Sequence, residues 1–179
     1  MEEYRDDKKS KLYYMDEILH KISSMSQAEN EKQLDDITPS ILKSVGEYTA
    51  ADRAYIFEWS SEKKESFKNT FEWCADGVAP EIDNLQAIPV SSMPNWVKRF
   101  ENKEVIVIHD LEATKNSEPE EYELLKTQEI CSLFAVPIYA NHQMNGFIGV
   151  DNPDLRQNEI SITLLSDVGG HLGCVRENL

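Results

Sequence analysis

The sequence predicts an α+β fold: a central antiparallel sheet of five to six strands, flanked by helices and bracketed by long helices at both ends. Three observations carry this. Short segments rich in β-branched and aromatic residues recur along the chain, two successive pairs of them are separated only by hairpin-length turns, and both ends keep apolar residues three and four apart. The length of 179 residues and an apolar fraction of 40 % are enough to build a core.

From the N-terminus, Leu12, Met15, Ile18, Leu19, Ile22 and Met25 fall on one helical face, which predicts an amphipathic helix ending near "SQAEN". A second helix follows through Leu34, Ile37, Ile41, Leu42 and Val45. Pro39 inside it predicts a kink, or a fresh start with Thr38 as N-cap. "RAYIFEWS" and "SFKNTFEWC" read as an antiparallel pair joined by the polar turn "SSEKKE". In the second of these, Phe67, Asn69, Phe71 and Trp73 share one alternation phase. The segment Ala75 to Pro89 then reads as a loop in which Gly77, Pro80 and Pro89 fix turns and no group is catalytic.

"SSMPNWVKRFENK" predicts a short helix with Trp96, Val97 and Phe100 on one side, and "EVIVIHD" a compact strand. "NSEPEEYELLKTQ" predicts an acidic helix starting close to Pro119. "SLFAVPIYA" and "MNGFIGVDNP" are strands joined across Asn141 and His142, where asparagine supplies a left-handed turn position. Asp151, Asn152 and Pro153 end the last strand, and Asn158 is placed to cap the closing helix.

The formal charge of −15, from 33 acidic against 18 basic residues, repels phosphate backbones and anionic lipid, so neither nucleic acid nor a membrane surface is an expected partner. The charged start "MEEYRDDKKSK" lacks a signal-peptide core, and no run approaches the roughly 20 apolar residues of a membrane span. The expected compartment is the cytoplasm. Cys74, Cys131 and Cys174 have neither disulfide-framework nor zinc spacing and are expected as free thiols. His109 and Asp110 are adjacent on a strand and point to opposite faces, so Asp110 is expected to cap the following turn and His109 to be half-buried. With His20, His142 and His171 scattered, no metal-ligand set is expected.

In this order, "ADRAYIFEW", "NTFEWCADGVAPEIDNLQAIP", "VIVIHDLE" and "CSLFAVPIYANHQMNGFIGVDNP" resemble a GAF domain, a PAS-like small-molecule-sensing fold, over about residues 31–179. The "EWC…G…P.IDNLQ" stretch resembles the subgroup at the front of bacterial signalling proteins, including diguanylate cyclases with GGDEF output domains. The resemblance implies an N-terminal helix over 1–30 and a sensor domain with a C-terminal signalling helix over 31–179, with no catalytic residue in this chain.

It also implies a pocket on one face of the sheet for an unidentified small molecule, with Tyr55, Phe57, Phe71, Trp73, Trp96, His109 and Cys131 as candidate ligand-binding residues. The same aromatic residues suit an ordinary core. Neither the cyclic-nucleotide signature nor the chromophore-bearing cysteine of bilin-binding members is present in matching order, and the resemblance names no cofactor. One alternative is a free methionine-(R)-sulfoxide reductase-like thiol enzyme using Cys131; another is a ligand-free dimerisation module. Leu165, Val168, Leu172, Val175 and Leu179 repeat at coiled-coil spacing, as do Met15, Ile18, Ile22 and Met25, which predicts a homodimer seam along the terminal helices. Gly169 and Gly173 predict a close neighbour for the last helix.

Overall fold

The computed structural model describes residues 2–179, with side chains from Lys11 onward. Two helices, α1 (Glu2–Met25) and α2 (Glu31–Thr49), lead into the hairpin of β1 (Arg53–Trp59) and β2 (Ser66–Cys74). A two-residue edge strand β3 (Ile88–Pro89), helix α3 (Pro94–Glu101), strand β4 (Ile106–Ile108) and helix α4 (Pro119–Leu125) follow. The hairpin of β5 (Leu133–Ala140) and β6 (Gln143–Asp151) and the helix α5 (Asn158–Asn178) close the chain. The sheet has six strands in the order β3-β2-β1-β6-β5-β4, with every pairing antiparallel.

The sheet separates two apolar clusters. On one face α1, α2 and α5 pack over Ala54, Ile56, Val136, Ile148 and Val150. On the other, α3 and α4 cover Tyr55, Phe57, Phe67, Leu133 and Phe147. Alternation along β1 divides the strand between them, because successive side chains leave a strand on opposite sides.

Local chemistry explains most boundaries. Asn30 caps α2 by accepting from the Gln33 backbone N–H at 3.0 Å, and the helix then runs through Pro39 without a fresh start. Thr38, expected as an N-cap, instead donates from its hydroxyl to the Leu34 carbonyl at 2.8 Å, within the turn the proline deprives of an N–H donor. Asn141 and His142 both hold positive φ, 51° and 61°, the pair of left-handed residues that a tight two-residue hairpin requires. Asp110 caps the turn after β4 by accepting from the Glu112 N–H. Asn158 does not cap α5: it is the first helical residue, and its amide meets the His109 ring at 2.7 Å.

Most of the seam expected on the terminal helices is inside the molecule, with Leu179 exposed and Met15 and Val175 half-buried. Leu165, Val168 and Leu172, together with Ile18, Ile22 and Met25, belong to the cluster under the helices, each 8 % exposed or less. The close neighbour of the α5 glycines is the sheet itself. A Cβ on Gly173 would stand 1.9 Å from the Tyr139 carbonyl oxygen, and one on Gly169 would touch Ile148 and Ile138.

Candidate ligand cavity

Strand β1 presents Arg53, Tyr55 and Phe57 to the face covered by α3 and α4. β6, paired with it, contributes Phe147 and Asp151 to the same side. α3 lays Trp96 across them from a Pro-started first turn. The buried carboxylate of Glu121, on α4, fixes that turn by accepting from the backbone N–H groups of Asn95 at 2.7 Å and Trp96 at 3.3 Å. The aromatic wall is continuous: Phe57 stacks on Phe147 with centroids 4.9 Å apart, and Tyr55 meets Phe57 edge-on at 5.5 Å. The enclosed space is about 30 Å³, room for the centres of roughly two water molecules.

One end of this cavity is polar. Arg53, 3 % exposed, donates from Nε to the Ala79 carbonyl at 3.0 Å and from Nη1 to the Gln128 carbonyl at 3.1 Å, and lies 3.6 Å from Asp151 Oδ2. Burial pushes the Asp151 carboxyl up to about 7, although the nearby Tyr55 hydroxyl and Arg53 guanidinium both favour its ionised form. Tyr55, for its part, is raised well above the usual phenol range by burial and by Asp151. Two polar atoms on the wall have no hydrogen-bond partner among the described residues: Asp151 Oδ1, an acceptor, and Trp96 Nε1, a donor. Both residues are only 2 % exposed.

Glu72 ties the roof to the sheet. Its Oε1 accepts from the backbone N–H groups of Glu81 and Ile82 at 2.9 and 3.1 Å, anchoring the loop between β2 and β3 at its tip. Arg53 holds the same loop through Ala79. The segment from Ala75 to Pro89 is thus a roof pinned by two charged side chains of the cavity wall.

Of the seven expected site residues, Tyr55, Phe57 and Trp96 line the cavity and the other four do not. Phe71 and Trp73 lie on the opposite face of the sheet, packed against the helical cluster, with Trp73 lying over Gly46 of α2. The reason is a β-bulge. Between Ile56 and Phe57 the partner on β2 jumps from Phe71 to Asn69, leaving Thr70 as an extra residue. Alternation restarts there, so Phe67 and Asn69 face the cavity while Phe71 and Trp73 do not. His109 is exposed, beside Asn158 and Phe134, on the helical side. Cys131 is exposed outside the cavity, its backbone N–H donating to Asn152 Oδ1 at 2.7 Å.

Arg53, Asn69, Glu72, Gln128 and Asp151 line the cavity without having been expected there. The sequence did carry a signal for two of them. Arg53 and Asp151 open and close strands next to apolar runs, Ala54 to Phe57 and Phe147 to Val150, and a charge beside such a run is buried only with a partner.

The family model of the GAF domain matches residues 33–174. The methanogenesis regulatory histidine kinase FilI of Methanothrix harundinacea (strain 6Ac) is 32 % identical over 126 residues, covering 66 % of this chain; the matched region spans 13 % of the kinase. Among solved structures, the phycocyanobilin-bound GAF domain from a cyanobacterial phytochrome superposes with a TM-score of 0.74 at 16 % identity, covering 91 % of this chain and 93 % of that one. The far-red absorbing dark state of JSC1_58120g3 with bound biliverdin gives 0.71 at 16 % identity, covering 92 % and 98 %. GAF3 from Slr1393 of Synechocystis sp. PCC6803 gives 0.65 at 19 % identity, covering 80 % and 92 %. The chain belongs to the GAF domain family, the sensory domains of signalling proteins.

Proposed function

We propose that this chain is the non-catalytic sensing module of a larger signalling protein, and that a small molecule held in the cavity beneath α3 sets its state. The observation that carries this is the pair of buried, unpartnered polar atoms, Trp96 Nε1 and Asp151 Oδ1, in two residues that line the same cavity. A purely structural core would pair or omit them, since leaving each unmade costs about 1–3 kcal/mol. A ligand that pairs both stabilises the arrangement it fits and shifts the population toward it.

The route outward runs along β1. Phe57 faces the cavity, and the next residue, Glu58, forms an ion pair on the opposite face with Arg176 in the last turn of α5. A change in how β1 sits under a ligand therefore reaches the end of the helix that would continue into an output domain. The kinase relative favours a histidine kinase output over the diguanylate cyclase output implied by the resemblance of the β2–β3 loop. The homodimer of this proposal uses apolar side chains left exposed on the terminal helices, Leu12 and Leu19 of α1 and Ile160 of α5.

The test is a search for stabilisation. Size-fractionated small-molecule extracts are added to the chain, and its urea midpoint is compared with that of Phe147→Ala, which removes part of the cavity wall. A ligand at about 100 times its Kd raises the stability of the wild type by about 2.7 kcal/mol. A fraction that stabilises both proteins equally acts elsewhere and contradicts the proposal.

A further inference from the structure

The closed cavity has room for about two waters, so a metabolite enters only if part of its wall yields. The walls are not equal. α3 and α4 are seated by buried side chains, among them Trp96, Phe100, Tyr122 and Leu125. The roof over residues 75–87 buries none of its residues and adds only Leu85 to the lining. With so few apolar contacts, it is the part that opens at least cost.

Two side chains of opposite charge hold the roof. Arg53 Nε donates to the Ala79 carbonyl at 3.0 Å, and Glu72 Oε1 accepts from the N–H groups of Glu81 and Ile82 at 2.9 and 3.1 Å. The Ala79 oxygen and the Glu81 nitrogen flank a single residue, Pro80, so covalent geometry keeps them within about 5 Å of each other. The roof itself thus shows that one small unit, an acceptor and a donor at that separation, reaches both side chains at once. Ala79 and Pro80 are exposed, so a molecule that takes their place is not bounded by the volume of the closed cavity.

The roof supplies neutral partners to charged groups. Arg53 is 3 % exposed, and the half-buried Glu72 has around Oε1 only the two N–H groups and the Cys74 thiol at 3.6 Å. A carboxylate and an ammonium on one molecule would meet the same side chains through charge-assisted hydrogen bonds, roughly twice as strong as those of neutral amides. A simple anion that displaced the roof would leave Glu72 without its donors, and a simple amine would leave Arg53 without its acceptor. Burial holds Asp151 toward its neutral form, which brings Arg53 and Glu72 close to balance and suits a ligand with one charge of each sign.

We infer that Arg53 and Glu72 form a recognition site for a small zwitterion of the amino acid class, its carboxylate replacing the Ala79 carbonyl and its ammonium replacing the Glu81 and Ile82 N–H groups. The roof occupies this site as a built-in competitor until the ligand displaces it. Both side chains line the same cavity as Trp96 and Asp151, so the inference rests on the sensing role proposed above and adds the groups that read the ligand's charged end.

The experiment uses the 179-residue chain and two zwitterions, leucine and γ-aminobutyrate, whose charged groups stand from about 3 to about 6 Å apart. Each is paired with analogues that carry one charge: 4-methylpentanoate and 3-methylbutylamine for leucine, butyrate and propylamine for γ-aminobutyrate. Calorimetry reads binding, and amide hydrogen exchange at Glu81 and Ile82 reads release of the roof. At least one zwitterion is expected to bind saturably and to speed exchange at both amides by about tenfold or more, with its single-charge analogues about tenfold or more weaker. Glu72→Gln keeps an oxygen for the two N–H groups but no charge for an ammonium. It is expected to retain the fold by circular dichroism and to weaken the zwitterion by about tenfold or more.

The inference is overturned if neither zwitterion binds, if binding leaves exchange at Glu81 and Ile82 unchanged, if a single-charge analogue binds as tightly, or if folded Glu72→Gln binds as well as wild type. A small molecule retained in native mass spectrometry alongside any of these results would leave the sensing role standing with a different ligand class. The bare polypeptide mass alongside them would remove both.

Discussion

Asp151 is the residue on which the chemistry of the cavity turns. Its folded-state pKa is raised from 3.8 to about 7, so between those values the folded protein holds a proton that the unfolded chain has released. The sign follows directly: stability contributed by this group is present at low pH and is lost as pH rises from about 4 to about 7, by no more than about 1.4 kcal/mol per pH unit for one proton. Asp151→Asn should flatten that part of the profile, measured as the urea midpoint against pH. An unchanged slope would place the titrating group elsewhere. Gly149 supports the same corner of the site by letting the Tyr55 ring lie across β6, where a Cβ would stand 2.5 Å from the ring edge. Gly149→Ala is expected to cost about 1–3 kcal/mol by overpacking, and Tyr55→Leu in the same chain to recover part of it. A cost unaffected by the second change would mean that the strain is in the backbone.

At the scale of single elements, the bulge in β2 decides which aromatic residues see the cavity. Deleting Thr70 would remove the extra residue and leave Phe71, Glu72, Trp73 and Cys74 on the faces they now occupy, in unbroken alternation with Phe67 and Asn69. The deletion variant is expected to keep a native-like near-ultraviolet circular dichroism spectrum; loss of that signal would show that the bulge itself is required. The order of elements, the two hairpins and the face-sharing of Tyr55 with Phe57 were legible from alternation, turn residues and helical spacing. The placement of Phe71 and Trp73 was not, because an unbroken period of two in the sequence carries no mark of an inserted residue. Arg53 and Asp151 were also missed as site residues, since partners nearly a hundred residues apart are brought together only by the pairing of β1 with β6. On α5, coiled-coil spacing and core-facing spacing are the same three-and-four rhythm, and the contact of Gly173 with the Tyr139 carbonyl resolves them in favour of the sheet.

Across the whole molecule, the sheet keeps the cavity on one face and the cluster under α1, α2 and α5 on the other, with β1 and β6 common to both. That division predicts opposite outcomes for two leucines. Leu172, fully buried on the inner face of α5, is expected to cost about 2–5 kcal/mol when changed to alanine. Leu19, 57 % exposed on α1, is expected to change monomer stability by less than about 0.5 kcal/mol when changed to glutamate, while lowering the dimer fraction in sedimentation. A folded Leu19→Glu that is as dimeric as wild type would move the interface off that face. No helix among the described residues is long and apolar enough to cross a membrane. The central claim, that the cavity under α3 holds a small molecule, is tested most directly by native mass spectrometry of freshly purified protein. The account predicts a species heavier than the polypeptide by one small molecule, lost on denaturation and absent from Phe147→Ala; the bare polypeptide mass alone, or an adduct kept by that variant, would contradict it.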